Sequence, residues 1–147
     1  MDIELSEEGD LEPIQAAVRR GLRGADPSDV GPRDYQPLGL ALRAPDGALL
    51  GGLYGGTMWG WLMVDGLWVA EELRGRGLGQ RLLLRAEAIA AGRGCRGAWL
   101  GTFDFQARAF YMRLGYTVFA ELPDFPAGRT HYHLCKRLVS PAPSRGS

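Results

Sequence analysis

The sequence predicts an α/β protein in which a mixed β-sheet is flanked by helices. Three observations carry this expectation. Apolar runs of strand length alternate with segments whose apolar residues recur at helical spacing. Gly, Pro and Asp clusters punctuate the runs where turns are needed. A glycine-rich loop, Arg74 to Gly79, stands where a strand candidate runs into a helix candidate.

Asp2 to Leu5 reads as a short extended start. From Leu11 to Leu22 the positions Leu11, Ile14, Ala17, Val18 and Leu22 trace one face of a helix, which Gly24-Ala25-Asp26-Pro27 ends. A loop rich in Gly, Pro and Asp runs to Gln36. Leu38 to Arg43 and Leu49 to Tyr54 read as strands joined by the turn Pro45-Asp46-Gly47. Trp61 to Val69 is a longer strand, and Asp65-Gly66 within it predicts a bulge. Leu78 to Ala91 is a helix with Leu78, Leu82, Leu83, Ala86, Ile89 and Ala90 on its apolar face, stopped by Gly92 and Gly94. Ala98 to Phe103 is a strand and Gln106 to Leu114 a helix ended by Gly115. Tyr116 to Leu122 and Thr130 to Leu138 are the last two strands. The expected order is β-α-β-β-β-α-β-α-β-β, in one domain over residues 1–139, with a Pro/Ser/Gly-rich tail at 140–147 expected to be disordered.

Composition narrows the function. Seventeen basic residues balance seventeen acidic ones, so nothing marks nucleic acid or an anionic membrane as a partner. All the basic residues but Lys136 are Arg, a residue suited to planar oxyanions. Cys95 and Cys135 are too few for a disulfide framework and lack metal-site spacing. A reduced, cytoplasmic protein is expected. No apolar run approaches the ~18 residues of a membrane span.

The loop carries the chemistry. A helix start exposes unpaired backbone N–H groups and the positive end of the helix dipole, and glycine lets a phosphate approach that backbone. Strand Leu67-Trp68-Val69, the loop that follows and the helix from Leu78 form such a site, with Arg74 and Arg76 adding charge. A P-loop would need Lys after the last glycine, and none occurs here. A Rossmann loop would need a third glycine where Gln80 stands, and Asp104 lies further on than the ~20 residues expected of its ribose-binding acid. A plain tight turn is the structural alternative.

Leu67-Trp68-Val69-Ala70-Glu71-Glu72-Leu73-Arg74-Gly75-Arg76-Gly77-Leu78-Gly79 resembles motif A of the GNAT N-acetyltransferase superfamily. Ala107-Arg108-Ala109-Phe110-Tyr111-Met112-Arg113-Leu114-Gly115-Tyr116 resembles its motif B. Trp61 to Val69, Trp99 to Gly115 and Glu121 to Leu138 are similar to small stand-alone bacterial members. The resemblance implies acetyl-CoA as cosubstrate, an amine as acceptor, and direct attack within a ternary complex. It implies that Leu67, Trp68 and Val69 pair with the pantetheine arm. Backbone groups of Arg76, Gly77 and Gly79 would hold the pyrophosphate, with Arg74, Gly75, Leu78 and Gln80 beside them. A backbone N–H near Leu67 or Trp68 would polarise the thioester carbonyl.

By the same resemblance Tyr111 is the candidate acid for the leaving thiolate, because a phenol matches its basicity. The packing alternative is a tyrosine sharing helical spacing with Phe110 and Leu114. Asp104 occupies a position where the family often has Asn, and an ionised carboxylate cannot donate as an amide does. For the base that deprotonates the acceptor, Asp65 ranks first, beside the expected acyl position. Glu71, Glu72, Asp104 and His131 are the others. His131 and His133 share a strand face, but no third ligand matches them, so no metal is expected. The resemblance puts the acceptor among Arg23 to Gln36, Trp59 to Asp65 and Glu121 to Thr130, a stretch holding Tyr35, Trp59, Trp61 and Phe125. A homodimer is allowed for. The rival readings are a catalytically silent module that binds acyl-CoA and a Rossmann-type reductase that binds NAD(P).

Overall fold

Trp59 and Gly60 turn the chain back on itself with φ of 48° and 77°, the left-handed pair that a two-residue hairpin needs. That hairpin is the centre of a six-stranded sheet. In the computed structural model, which describes residues 1–139, the strands are β1 (Gln36–Arg43), β2 (Leu49–Met58), β3 (Trp61–Val69), β4 (Gly97–Phe103), β5 (Thr117–Pro123) and β6 (Thr130–Arg137). They lie in the order β1-β2-β3-β4-β6-β5. Only β3 and β4 run parallel; every other neighbouring pair is antiparallel. The expected tail at 140–147 lies outside the described residues. Among those described, no helix is long and apolar enough to cross a membrane.

The chain divides into two units, at Pro32 and Arg33. The first holds α1 (Glu12–Gly24), which opens with Glu12 and a proline in its first turn, both favourable at a helix start. A short 3₁₀ turn, Ser28–Val30, follows. The expected strand at Asp2 to Leu5 is absent: these residues have no regular structure. Alternation of Ile3 and Leu5 with acidic residues satisfies strand pattern, but a strand also needs a partner for its backbone groups, and no ladder forms here.

The second unit carries the sheet, α2 (Leu78–Gly92) and α3 (Arg108–Arg113). Leu82, Leu83, Ala86 and Ala90 of α2 bury against Leu38, Leu53, Leu62, Ala98, Leu100 and Leu134 of the sheet. Each fully buried leucine there contributes roughly 1.5–3 kcal/mol. One charge enters this core. Glu87 is 7% exposed and accepts from the Tyr116 hydroxyl at 2.8 Å and from Lys136 Nζ at 2.7 Å. These bonds tie α2 to β6 and to the start of β5. Cys95 is also buried. Burial pushes its thiol up, against the pull of Arg93 and Arg96.

Strand β2 is longer than its expected end at Tyr54. It runs through Gly55-Gly56 to Met58, because both glycines pair with β3. A Cβ on Gly55 would overlap the Met63 carbonyl oxygen, and one on Gly56 would lie 2.6 Å from the Tyr35 ring. The glycines therefore mark close approach rather than a strand end. The bulge expected at Asp65-Gly66 is present. Tyr54 pairs with Gly66 and Gly55 with Val64, leaving Asp65 without an opposite residue. Core-facing Leu62 and Val64 are thus followed by Leu67 and Val69, a phase slip of one residue.

Candidate active site

The phase slip has a neighbour on the other edge of β3. The parallel pairing with β4 covers only Trp61 to Val64 against Gly97 to Leu100. Beyond the bulge the two strands part, and Asp65 to Val69 have no ladder partner on that edge. A cavity of about 290 Å³ fills the gap. Val64, Asp65, Gly66 and Leu67 form one wall, Leu100, Gly101 and Thr102 the other, and Gln106, Ala107 and Tyr111 complete it.

A second, larger groove of about 470 Å³ follows the same strand toward α2. Leu67, Ala107 and Tyr111 line both, so the two spaces meet at Tyr111. Between β3 and α2 the chain makes a 3₁₀ turn, Glu71–Leu73, then passes through Gly75 and Gly77 at φ of 82° and 73°. Only glycine adopts this region at little cost. Gly77 is the N-cap of α2 and provides no side-chain cap. The first helical bond joins Arg81 N–H to the Gly77 carbonyl. The amides of Leu78, Gly79 and Gln80 are therefore left over at the positive end of a 15-residue helix. Arg74 Nε donates to the Val69 carbonyl at 3.2 Å, fastening the loop to the strand end.

Of the residues singled out from the sequence, Leu67, Trp68, Val69, Arg74, Gly75, Gly77, Leu78, Gly79, Gln80 and Tyr111 line the groove. Asp65 lines the cavity beside it. The Arg76 side chain is exposed and lines neither. Asp104 also lines neither. Its Oδ2 accepts from Thr130 N–H at 3.1 Å and its Oδ1 lies 3.7 Å from Arg129. It joins the end of β4 to the start of β6. Glu71 and Glu72 are exposed in the 3₁₀ turn. Trp59 sits at the hairpin tip with Arg33 over its ring at 4.7 Å, and Trp61 packs on Gly97.

Among the lining side chains that escaped the sequence reading as site residues are Leu73, Phe110, Arg113 and Gln106. Gln106 was read as the first residue of a helix. Instead α3 starts at Arg108, and Gln106 Oε1 accepts from Phe103 N–H at 3.1 Å and Thr102 Oγ1 at 3.2 Å. With its oxygen engaged, its amide nitrogen is the remaining donor at the cavity wall.

Tyr111 is buried, 8% exposed. Its ring meets Phe110 at 5.1 Å and Tyr116 at 5.9 Å, edge to face. Burial pushes its pKa up, so the phenol keeps its proton through the neutral range. Among the described residues no group hydrogen-bonds its hydroxyl. Tyr116 behind it is pushed up further, by burial and by the adjacent Glu87 carboxylate.

Against Gly101 lies a cluster of rings. His131 meets Phe103 at 4.5 Å, Phe125 at 5.6 Å and His133 at 4.8 Å. Burial, then the neighbouring His133, lower the His131 pKa. Among the described residues no three His, Cys, Asp or Glu side chains come together as metal ligands would.

Comparison with known proteins gives a consistent result. The model of the family described as "Acetyltransferase (GNAT) family" matches residues 12–116. Blasticidin-S acetyltransferase of Streptomyces morookaense is 52% identical over 93 residues, covering 63% of this chain and 68% of that protein. An acetyltransferase of Agrobacterium fabrum is 36% identical over 138 residues, 94% of this chain and 100% of the relative. The crystal structure of an acetyltransferase from Bacillus cereus superposes with a TM-score of 0.80 at 31% identity, covering 94% of this chain and 98% of that one.

Proposed function

The chain belongs to the GNAT acetyltransferase family, and from that premise we propose that it moves the acetyl group of acetyl-CoA to a primary amine of a small-molecule acceptor, by direct attack in a ternary complex. One observation carries the reading. A continuous groove runs from the uncapped start of α2 to Tyr111, at the mouth of the gap between β3 and β4.

The donor set fits acetyl-CoA. Amides of Leu78, Gly79 and Gln80 suit the oxygens of a pyrophosphate, and the glycine backbone at 75 and 77 leaves room for its approach. The unpaired edge of β3 from Leu67 to Val69 offers main-chain groups to an extended arm carrying amides. The bound thioester supplies an activated acyl carbonyl. The chain orients the two reactants in the gap, which lowers the entropic part of the barrier. Tyr111, held protonated by burial, gives its hydroxyl proton to the departing sulfur. Asp65 attracts the acceptor ammonium across the cavity.

The name of the Streptomyces relative puts blasticidin-S first among acceptors to test. Calorimetry with acetyl-CoA, followed by thiol release across a panel of blasticidin-S, polyamines, amino acids and a peptide α-amine, tests the reading. Binding of acetyl-CoA and thiol release with at least one small amine are expected. No heat with acetyl-CoA on folded protein, or thiol release with the peptide alone, overturns it.

A further inference from the structure

We propose that His131 is the base that takes the proton from the acceptor ammonium, while Asp65 on the opposite wall only draws that ammonium in. The assignment rests on the acetyl-transfer reading above and adds a residue to it.

Position is the first argument. His131 pairs with Phe103 at the end of β4 and with Leu122 of β5. Its ring lies over Gly101. A Cβ on Gly101 would come 2.7 Å from His131 Cε1 and 2.9 Å from Nε2. Gly101 itself lines the cavity, as do Asp65 and Tyr111. The missing side chain thus lets the imidazole pack directly on the Gly101 backbone, one residue's thickness from the space where the amine must arrive.

The second argument is chemical. Among the described residues neither imidazole nitrogen of His131 has a hydrogen-bond partner, while Phe103, Phe125 and His133 fix the ring by their contacts. The charged and titratable groups around it are few. They are His133 on its own strand, Asp104 at the end of β4, Arg129 in the preceding loop, Glu121 on β5 and Asp65 across the cavity. Asp104 and Arg129 face each other. Burial and His133 favour the neutral imidazole, the form that accepts a proton. A carboxylate attracts a cation well but is in general a weaker base than imidazole, which lies closer to the working pH.

The step balances. The ammonium gives one proton to the neutral imidazole nitrogen, directly or through one water. The freed nitrogen lone pair forms the C–N bond to the acyl carbon. The C–S bond then breaks, and the thiolate takes the Tyr111 hydroxyl proton. The phenolate is reprotonated by the second proton lost from the acylated nitrogen, and the imidazolium releases its proton to solvent.

The test compares full-length wild type, His131→Gln and Asp65→Asn, using acetyl-CoA and the panel amine most active with wild type. His131→Gln is expected to lower kcat/KM for the amine about 100-fold near neutral pH, with the KM for acetyl-CoA and the thermal midpoint little changed. Its deficit should narrow as pH rises and the amine deprotonates unaided. Asp65→Asn should raise the KM for the amine and keep the acidic limb of the wild-type profile. A His131→Gln enzyme with wild-type rate and profile, or one whose deficit is the same at every pH, overturns the assignment. So does loss of the acidic limb in Asp65→Asn. Wild type that binds acetyl-CoA yet releases no thiol with any amine overturns the function reading itself, a distinct result. An NMR titration of the two imidazoles reads His131 without turnover: protonated His131 at neutral pH also overturns the base.

Discussion

Tyr111→Phe separates chemistry from architecture, because the hydroxyl and the ring do different things. The ring is buried and touches Phe110 and Tyr116 edge to face, contacts a phenylalanine ring keeps. The hydroxyl has no hydrogen-bond partner among the described residues and points to no bond whose loss would weaken the fold. A typical intramolecular hydrogen bond contributes about 1 kcal/mol, and here none is lost. Stability should therefore move by less than about 1 kcal/mol, and acetyl-CoA affinity should stay near wild type. If the hydroxyl protonates the leaving sulfur, kcat falls by at least 100-fold, the low end for acid catalysis, or about 2.7 kcal/mol of barrier. Burial raises the Tyr111 pKa, so wild type should keep its proton donor as pH rises toward about 10, the ordinary tyrosine value. Stopped-flow thiol release gives kcat, calorimetry gives Kd and thermal unfolding gives stability. A kcat within about threefold of wild type refutes the acid role. A fall in kcat matched by equal losses in Kd and thermal midpoint refutes it too, since that pattern means lost packing.

Gly77→Ala forces a Cβ onto a residue at φ 73°, costing about 1–2 kcal/mol. Calorimetry should show weaker acetyl-CoA binding as the α2 amides turn from the groove. Gly55→Ala places a Cβ on the Met63 carbonyl oxygen, so the bulge cannot persist. A loss of about 2 kcal/mol or more in chemical denaturation is expected, with acetyl-CoA binding lost in whatever fraction stays folded. Tyr116→Phe deletes the buried 2.8 Å bond to Glu87 and should cost about 1.5–3 kcal/mol. The Tyr116 pKa is raised in the folded state. Its contribution is therefore present below about pH 10, the unfolded value, and lost as pH climbs above it. The stability gap between wild type and Tyr116→Phe, read by denaturant melts, should shrink in that alkaline range.

What the sequence made legible was local. The period of Leu78 to Ala90 specifies α2, the Asp65-Gly66 interruption specifies the bulge, and the glycine spacing specifies where the loop needs left-handed backbone. Long-range pairing was not legible. Ile3 and Leu5 alternate like strand residues, yet nothing near them in sequence shows whether a partner strand exists. Gly55-Gly56 looked like a strand end because the Tyr35 ring packed on Gly56 comes from 21 residues earlier. Asp104 was singled out by motif spacing, and its contacts with Thr130 and Arg129, 26 and 25 positions on, are not visible locally. His131 and His133 were correctly read as sharing a face. That this face packs on Gly101, a residue of the cavity wall, depends on the β4–β6 register, which a local pattern does not encode.

The bulge explains why the gap lies where it does. An extra residue in one strand of an antiparallel pair adds local twist and bends that strand. Here the extra residue is Asp65, between the pairs Gly55–Val64 and Tyr54–Gly66, and parallel pairing with β4 ceases at Val64, one residue earlier. Twist imposed from the β2 side thus separates β3 from β4 on the other. The same slip keeps Leu67 and Val69 turned to the core after Leu62 and Val64, so opening the edge does not expose their side chains. Without the extra residue, either Leu67 and Val69 would face away from α2 or the ladder with β4 could continue and close the cavity. Gly55 permits this sterically, since a Cβ there would overlap the Met63 carbonyl oxygen. The opening beside β3 and burial of the core are therefore set by a single backbone irregularity, some ten residues before the glycine loop that leads into α2.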